Sequence, residues 1–191
     1  MRFALLILVA AAGCGGSSTL REPDEYVGCG SDEHWRTFDD REKAGQVMVS
    51  ATQGPIVTAP TGTVPFSMRP RATWQRGQND PGMPAGDVPY LNGPGCNMCC
   101  PEFNTGGLGT LHLPPISGDV YDLQFSIGGS IVWRVITTLQ EWAPPTMPAD
   151  PWPSWRGQLV TIKLIKMDVE ANDPKAGPFV SPTPFTFTVG N

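Results

Sequence analysis

The residues best suited to chemistry in this sequence are three cysteines in the segment 96–101, which reads CNMCCP. A C-x-x-C pair exchanges thiols and disulfides when a helix N-terminus lowers the pKa of its first thiol. Glycines and a proline at 93–95 precede this pair and Pro101 closes it, so no helix starts there. Thioredoxin-like proteins also need a βαβ setting, which the chain lacks. We therefore interpret the cluster as crosslinks and keep thiol redox chemistry as an alternative.

The same cluster offers a second chemistry, the binding of a soft metal ion. The thiolates of Cys96, Cys99 and Cys100, with Met98 and His112 nearby, suit Cu(I) or Zn(II). Zinc sites usually show a second ligand pair at a recognisable spacing, and none is present. Spare thiols of exported proteins also become oxidised. Metal binding is therefore a weaker alternative, and we expect no cofactor.

No other set of residues forms a recognisable catalytic constellation. His34 and His112 are the only histidines, and no G-x-S-x-G turn activates a serine. Carboxylate pairs could serve a glycosidase or bind calcium, but the acidic residues are scattered and no calcium motif supports them. We expect solvated surface acids at Asp119, Asp122, Asp168, Glu170 and Asp173. The sequence therefore predicts a protein that is not an enzyme.

Three tryptophans lie at the ends of a proline-rich segment, 142–155, which reads WAPPTMPADPWPSW. Trp142, Trp152 and Trp155 could form a flat aromatic surface for a glycan or a proline-rich ligand. They could instead fold over the open end of a β-sandwich and exclude water. We favour the second interpretation because large aromatic side chains are usually buried.

The first residues have the three parts of an export signal. Arg2 is followed by an apolar run over 3–12 and then by small residues around Cys14. The run has ten residues, whereas a spanning helix needs about twenty. It therefore predicts a signal peptide, not a transmembrane anchor.

The stretch 11–14, Ala-Ala-Gly-Cys, resembles the lipobox of bacterial lipoproteins, although Ala11 replaces the usual leucine. This resemblance implies that the Cys14 thiol is diacylated and becomes the new N-terminus, and the absence of a following aspartate resembles sorting to the outer membrane. An ordinary secretory signal is the alternative. The predicted organisation is a signal peptide at 1–13, a lipidated flexible tether at 14–32 and one domain at 33–191.

Four cysteines remain beside Cys14. An even number in an exported protein favours two disulfides, for which three pairings are possible. Adjacent Cys99 and Cys100 are poorly placed to bond each other, because a vicinal bridge strains the disulfide. Cys29 is therefore expected to pair with Cys96, Cys99 or Cys100, tying down the insertion at 75–107.

Composition limits both the fold and the partners. With 22 glycines and 21 prolines in 191 residues, the chain favours short strands joined by turns. The net charge is -5 and no basic cluster is present, so we expect no nucleic-acid partner. Attachment to a membrane must therefore come from lipid.

The strand pattern predicts a single all-β antiparallel sandwich. The segment 34–43 is the one place with a helical turn, and it is too short for a confident helix. In 120–127 and 131–138, alternating apolar residues around Gly128 and Gly129 predict a hairpin with Arg134 facing outward. In the strand predicted at 158–169, the apolar residues change from one face to the other at 164–165, which predicts a bulge or a switch of sheet within that strand. Strands are predicted at 46–51, 63–74, 109–113, 120–127, 131–138, 158–169 and 183–189, with prolines placing the start of the last one at an edge.

The segment 112–142 resembles uncharacterised lipoproteins of myxobacterial type with an immunoglobulin-like sandwich. This resemblance implies a fold and no activity. The leading interpretation is a non-catalytic, lipid-anchored binding or structural module of the cell envelope, with a protein or a glycan as its ligand. The alternatives are a metal-binding or thiol-redox protein and an accessory subunit of an envelope complex.

Overall fold

A computed structural model describes residues 21–78, 115–146 and 150–191. The fold is all-β with one α-helix, and two sheets pack as a sandwich. The elements in chain order are β1 Glu25–Val27, α1 Asp32–Lys43, β2 Met48–Val49, β3 Ile56–Ala59, β4 Thr63–Val64, β5 Ala72–Gln75, β6 Gly118–Ile127, β7 Ser130–Thr137, β8 Glu141–Trp142, a 3-10 helix Trp152–Trp155, β9 Leu159–Glu170, β10 Asp173–Val180 and β11 Phe185–Val189.

The larger sheet has the strand order β1-β7-β6-β9-β10-β2, with β11 beside the first half of β9 and β4 beside β11. The smaller sheet has the order β3-β5-β8. The long strands pair antiparallel, as expected, but β1, β2 and β4 pair in parallel with β7, β10 and β11. The larger sheet is therefore mixed, and an immunoglobulin-like relationship stays a prediction.

The larger sheet is covered on both faces. One face of β6, with Tyr121, Leu123 and Phe125, packs on the smaller sheet. The other face of the same sheet packs on α1 through Phe38 and Ile165. The molecule therefore has three layers, in which the central strands have no face open to water.

Helix α1 is longer than the sequence pattern indicated. Ser31 caps its N-terminus, and acidic residues in the first turn and basic residues in the last turn favour the helix dipole. Its central Phe38 is only 1% exposed against the larger sheet. Burial of this face stabilises a twelve-residue segment that would be marginal as an isolated helix.

The predicted hairpin is confirmed, and the orientation predicted for Arg134 is wrong. Strands β6 and β7 pair from Tyr121 opposite Thr137 to Ile127 opposite Ser130, and the turn uses the positive φ angles of Gly128 and Gly129. Arg134 does lie on the face opposite the sandwich core, but that face is covered by α1. Its side chain is therefore fully buried.

The bulge predicted in the strand over 158–169 is absent from its pairing with β6. Strand β9 pairs with β6 without a register shift, from Val160 opposite Ile127 to Val169 opposite Gly118. The apolar parity changes because the first half of β9 buries its residues against the smaller sheet and the second half against α1.

Other strand predictions differ in extent. The run 63–74 forms two strands, β4 and β5, which belong to different sheets. The sequence missed β1, β3, β8 and β10, and the run 109–113 lies outside the described residues. Strand β1 lies within the predicted tether, so the folded part begins before residue 33. The start of β11 pairs only with β9, so its prolines do mark an edge.

Candidate functional site

Of the cysteines predicted to carry chemistry or crosslinks, the described part of the chain contains Cys29. It is buried and disulfide-bonded, and its backbone N–H donates to Thr138 Oγ1 at 3.0 Å. The other predicted residues of the cluster, with the lipidation residue, lie outside the described residues: Cys14, Cys96, Met98, Cys99, Cys100 and His112. Their chemistry and their pairing stay predictions.

The three tryptophans proposed as a ligand surface are core residues. Trp142, Trp152 and Trp155 are each 4% exposed or less. Trp142 and Trp155 lie 4.8 and 5.0 Å from the ring of Phe125 between centroids. The indole of Trp142 donates to Glu25 and that of Trp152 to the carbonyl of Phe66, both at 2.8 Å. The rings therefore close the core, as the favoured interpretation has it, and offer no exposed platform.

His34 is a buried, hydrogen-bonded side chain at the start of α1. Its Nδ1 lies 2.8 Å from the hydroxyl of Ser31, the residue that caps the helix. Burial lowers the pKa of its imidazole. His34 therefore contacts the residue that caps the helix N-terminus.

Two of the acids expected on the surface are instead brought together inside the fold. Asp119 on β6 lies directly opposite Asp168 on β9. The ammonium of Lys166, which is fully buried, lies 2.9 Å from Asp168 Oδ1 and 3.9 Å from Asp119 Oδ1. Tyr121 donates to Asp119 at 3.0 Å, and Arg76 pairs with the same carboxylate. We call these five residues the lysine cluster.

Burial shifts the pKa of two groups of the lysine cluster, the carboxyl of Asp168 and the phenol of Tyr121. Burial, and then hydrogen bonding to Asp119, raise the pKa of Asp168 from 3.8 to about 6, while Lys166 opposes the shift. Burial also raises the pKa of Tyr121. A carboxyl with a pKa near neutrality is a common feature of catalytic acids. Here these groups lie side by side on one face of the β6–β9 pair, and they are bonded to one another.

A second set of charges lies on the opposite face, beneath α1. Arg134 holds Asp122 with two hydrogen bonds, Nε to Oδ1 at 2.9 Å and Nη2 to Oδ2 at 2.5 Å, and both side chains are fully buried. Gln124 donates to Asp122 at 2.8 Å and to Glu42 at 3.3 Å. Glu42, at the end of α1, also pairs with Lys163. We call these five residues the arginine cluster.

The charged groups of the arginine cluster pair with one another. The bidentate pair satisfies both carboxylate oxygens of Asp122, and Arg134 Nη1 donates to the carbonyl of Arg21 at 2.8 Å. The prediction of solvated acids is therefore wrong for Asp122, as it is for Asp119 and Asp168, because paired charges tolerate burial. It holds for Glu170, which is exposed and pairs with Lys175 at 3.1 Å, and for Asp173, which is exposed. Within the described residues, no group of three metal-ligating side chains occurs.

The described surface also contains an apolar groove of about 430 Å³ at an open side of the sandwich. Its walls come from the start of β3, the middle of β9 and the segment between β10 and β11. Strand β10 pairs with β9 as far as Ile165, and β11 starts at Ile162. Among the described strands, Lys163 and Leu164 therefore have no partner on that side. The groove is lined mainly by Pro55, Ile56, Val57, Leu164, Pro184 and Phe185.

One wall of the groove is β3, which is an edge strand among the described residues. Strand β3 pairs only with β5, so its other edge carries no described strand. Edge strands are normally protected by charged residues, whereas β3 reads IVTA and has none. Ile56 is 36% exposed there. The one charged side chain in the lining, Lys163, is already paired with Glu42.

Comparisons with protein-family models, with curated proteins and with solved structures find no match. Over the described ranges, no helix has the length and apolar character needed to cross a membrane.

The sequence pattern missed the residues that make this geometry. The groove depends on β3, a four-residue strand between two prolines, which offers almost no local signal. One feature of the sequence could have indicated the lysine cluster. Lys166 lies on the same face of its strand as the apolar residues Ile162 and Leu164. A lysine on an apolar face predicts a carboxylate partner, and Asp168 is the nearest one, with Asp119 next to it.

Proposed function

We propose that this protein is a non-catalytic, lipid-anchored domain of the bacterial cell envelope that binds an extended segment of an envelope protein along β3. The observation that carries the proposal is the uncharged edge of β3 beside the apolar groove, with which no described strand pairs. An extended chain added to such an edge gains backbone hydrogen bonds, and neighbouring pockets select its side chains. The groove beside Ile56 and Leu164 favours apolar side chains in that segment.

Burial of the ionisable groups supports a non-catalytic role. In both clusters the charged groups are paired with one another between packed layers, so their charge is used within the fold. The burial of Trp142, Trp152 and Trp155 favours a peptide over a glycan, because a glycan site needs exposed rings for stacking. The same binding site is compatible with the alternative that this protein is an accessory subunit of an envelope complex. Another subunit of that complex would then occupy the groove.

The anchor and the crosslink are proposed on the sequence. A lipobox-like segment ending at Cys14 supports lipidation and outer-membrane sorting, and several acyl chains hold a protein firmly. The disulfide-bonded state of Cys29 supports pairing with Cys96, Cys99 or Cys100.

Photocrosslinking in living cells tests the binding site. A benzophenone amino acid replaces Ile56 in one strain and Val49, an exposed aliphatic residue on β2 outside the groove lining, in a control strain. We expect one discrete crosslinked envelope protein from position 56 and none from position 49. The crosslinked peptide is then identified by mass spectrometry, synthesised and added to the purified protein.

Hydrogen exchange decides whether that peptide binds as proposed. We expect it to slow exchange of the backbone amides of 56–59, and we expect Ile56→Lys to abolish the effect because a charge would lie in the apolar groove. The matched change Val49→Lys should leave it intact. Protection elsewhere, or the same crosslinks from both positions, would reject the proposed binding site.

A further inference from the structure

The N-terminal segment is held to the domain at a defined place. Asp24 accepts from the N–H of Arg134 at 2.9 Å and donates its own N–H to the Arg134 carbonyl at 2.8 Å. Arg21 reaches the carbonyl of Ile131, near the start of β7. The chain before residue 21 therefore starts beside the β6–β7 turn, and we call this end of the molecule the tether end.

Several other segments lie at the same end. Strand β9 starts there, since Val160 is opposite Ile127. Strand β11 ends there, and β4, which is parallel to it, leads from Val64 into the turn at 65–68. The tether end therefore consists of the β6–β7 turn, the turn at 65–68 and the start of β9.

The lipid anchor of the proposed function lies a short distance along the chain from this end. Seven residue steps separate Cys14 from Arg21, and they span at most about 25 Å when fully extended. Strand β9 alone runs for twelve residues, which is about 40 Å, from the tether end to the far end of the sheet. An anchored domain therefore cannot turn its far end, at 171–172, to the membrane.

The tether end also presents apolar side chains to solvent. Met68 is 60% and Leu159 58% exposed, although each is large and apolar. Its charges are largely neutralised, since Arg21 pairs with Asp24, and Arg69 holds Asp150 with two hydrogen bonds. Apolar side chains without excess acidic charge suit the boundary between lipid headgroups and acyl chains.

We propose that the tether end, through Met68 and Leu159, is a contact surface for the lipid bilayer that carries the anchor. This inference rests on the proposed lipid anchor. The contact would orient the domain so that the long strands stand away from the membrane. The free edge of β3 would then face sideways, where an envelope partner can reach it.

Tryptophan emission in vesicles tests this surface. The full lipidated protein, carrying Leu159→Trp or the control Val49→Trp, is placed in phosphatidylcholine vesicles with and without brominated acyl chains. We expect Leu159→Trp to add blue-shifted emission that brominated lipid quenches at least two-fold. The emission added by Val49→Trp should be unquenched, and Met68→Trp gives a second probe should Leu159→Trp fail to fold.

The two proposals fail in different ways. If the protein does not float with vesicles, the lipid anchor is wrong and this surface falls with it. If it floats but the added emission at 159 and 68 is unquenched, the surface is wrong and the anchor stands. Equal quenching at position 49 would likewise overturn the orientation.

Discussion

Single residues in this protein show how charge is buried between packed layers. Arg134 and Asp122 are fully buried on one face of the larger sheet, and Lys166 is fully buried on the other. An unpaired charge in either place would cost several kcal/mol, so each is matched by an opposite charge at hydrogen-bonding distance. In the lysine cluster, burial and the hydrogen bond with Asp119 raise the pKa of Asp168, and the attraction of Lys166 opposes this shift.

The raised pKa of Asp168 predicts stability that falls as the pH rises. The carboxyl titrates near 3.8 when unfolded and near 6 when folded, so between these values the fold holds a proton that the unfolded chain has lost. This contribution is complete below pH 3.8 and is lost as the pH rises through 6. We expect the free energy of unfolding to fall by roughly 1 kcal/mol between pH 4 and 7, relative to Asp168→Asn, since solvent screens part of the effect.

Urea unfolding of the wild-type protein and of Asp168→Asn at several pH values checks this prediction. Asp173→Asn is the matched control, because Asp173 is an exposed acid at the end of the neighbouring strand. Its pH dependence should match that of the wild-type protein. Parallel stability curves for wild type and Asp168→Asn would show that Asp168 titrates normally in the fold.

The sequence could predict on which face of its strand each of these residues lies, but not what covers that face. Alternation in β6 indicated a buried face with Leu123 and Phe125, and that prediction is confirmed. The same alternation left Asp122 and Arg134 on a face that looked solvated. Only the packing of α1 buries them, and a single sequence does not show which surface a helix covers.

At the scale of elements, α1 buries the face of the larger sheet that lies opposite the smaller sheet. It contributes Phe38 to an apolar cluster with Val120 and Ile165, and Glu42 to the arginine cluster. The sequence showed part of this helix, because its charges and its Ser31 cap are local signals. It missed β1 and β10, since β1 has three residues and β10 contains two prolines.

Because Phe38 forms the apolar contact between α1 and the larger sheet, we predict a large loss of stability when it is removed. We expect Phe38→Ala to lower the free energy of unfolding by about 3–5 kcal/mol, because it opens a cavity between the helix and the sheet. The matched change Arg36→Ala, on an exposed position of the same helix, should cost less than about 0.5 kcal/mol. Urea unfolding of both variants measures the difference, and equal effects would mean that α1 packs weakly.

At the scale of the whole molecule, the three layers place the tether end and the groove on different sides of the fold. The N-terminal segment leaves the sheet at the tether end, while the free edge of β3 lies on the open side of the sandwich. All-β composition and turn-rich sequence predicted the sandwich. The parallel edge strands follow from long-range contacts, which local patterns do not encode.

The central claim is a lipid-anchored, crosslinked domain without a reactive centre. Intact mass of the protein isolated from membranes tests it directly, measured with and without reduction and thiol alkylation under conditions that retain metal. We predict a chain that starts at an acylated Cys14 and has no alkylatable thiol before reduction. An unacylated chain, or free thiols with bound copper or zinc, would contradict the account and make Cys96, Cys99 and Cys100 the reactive centre.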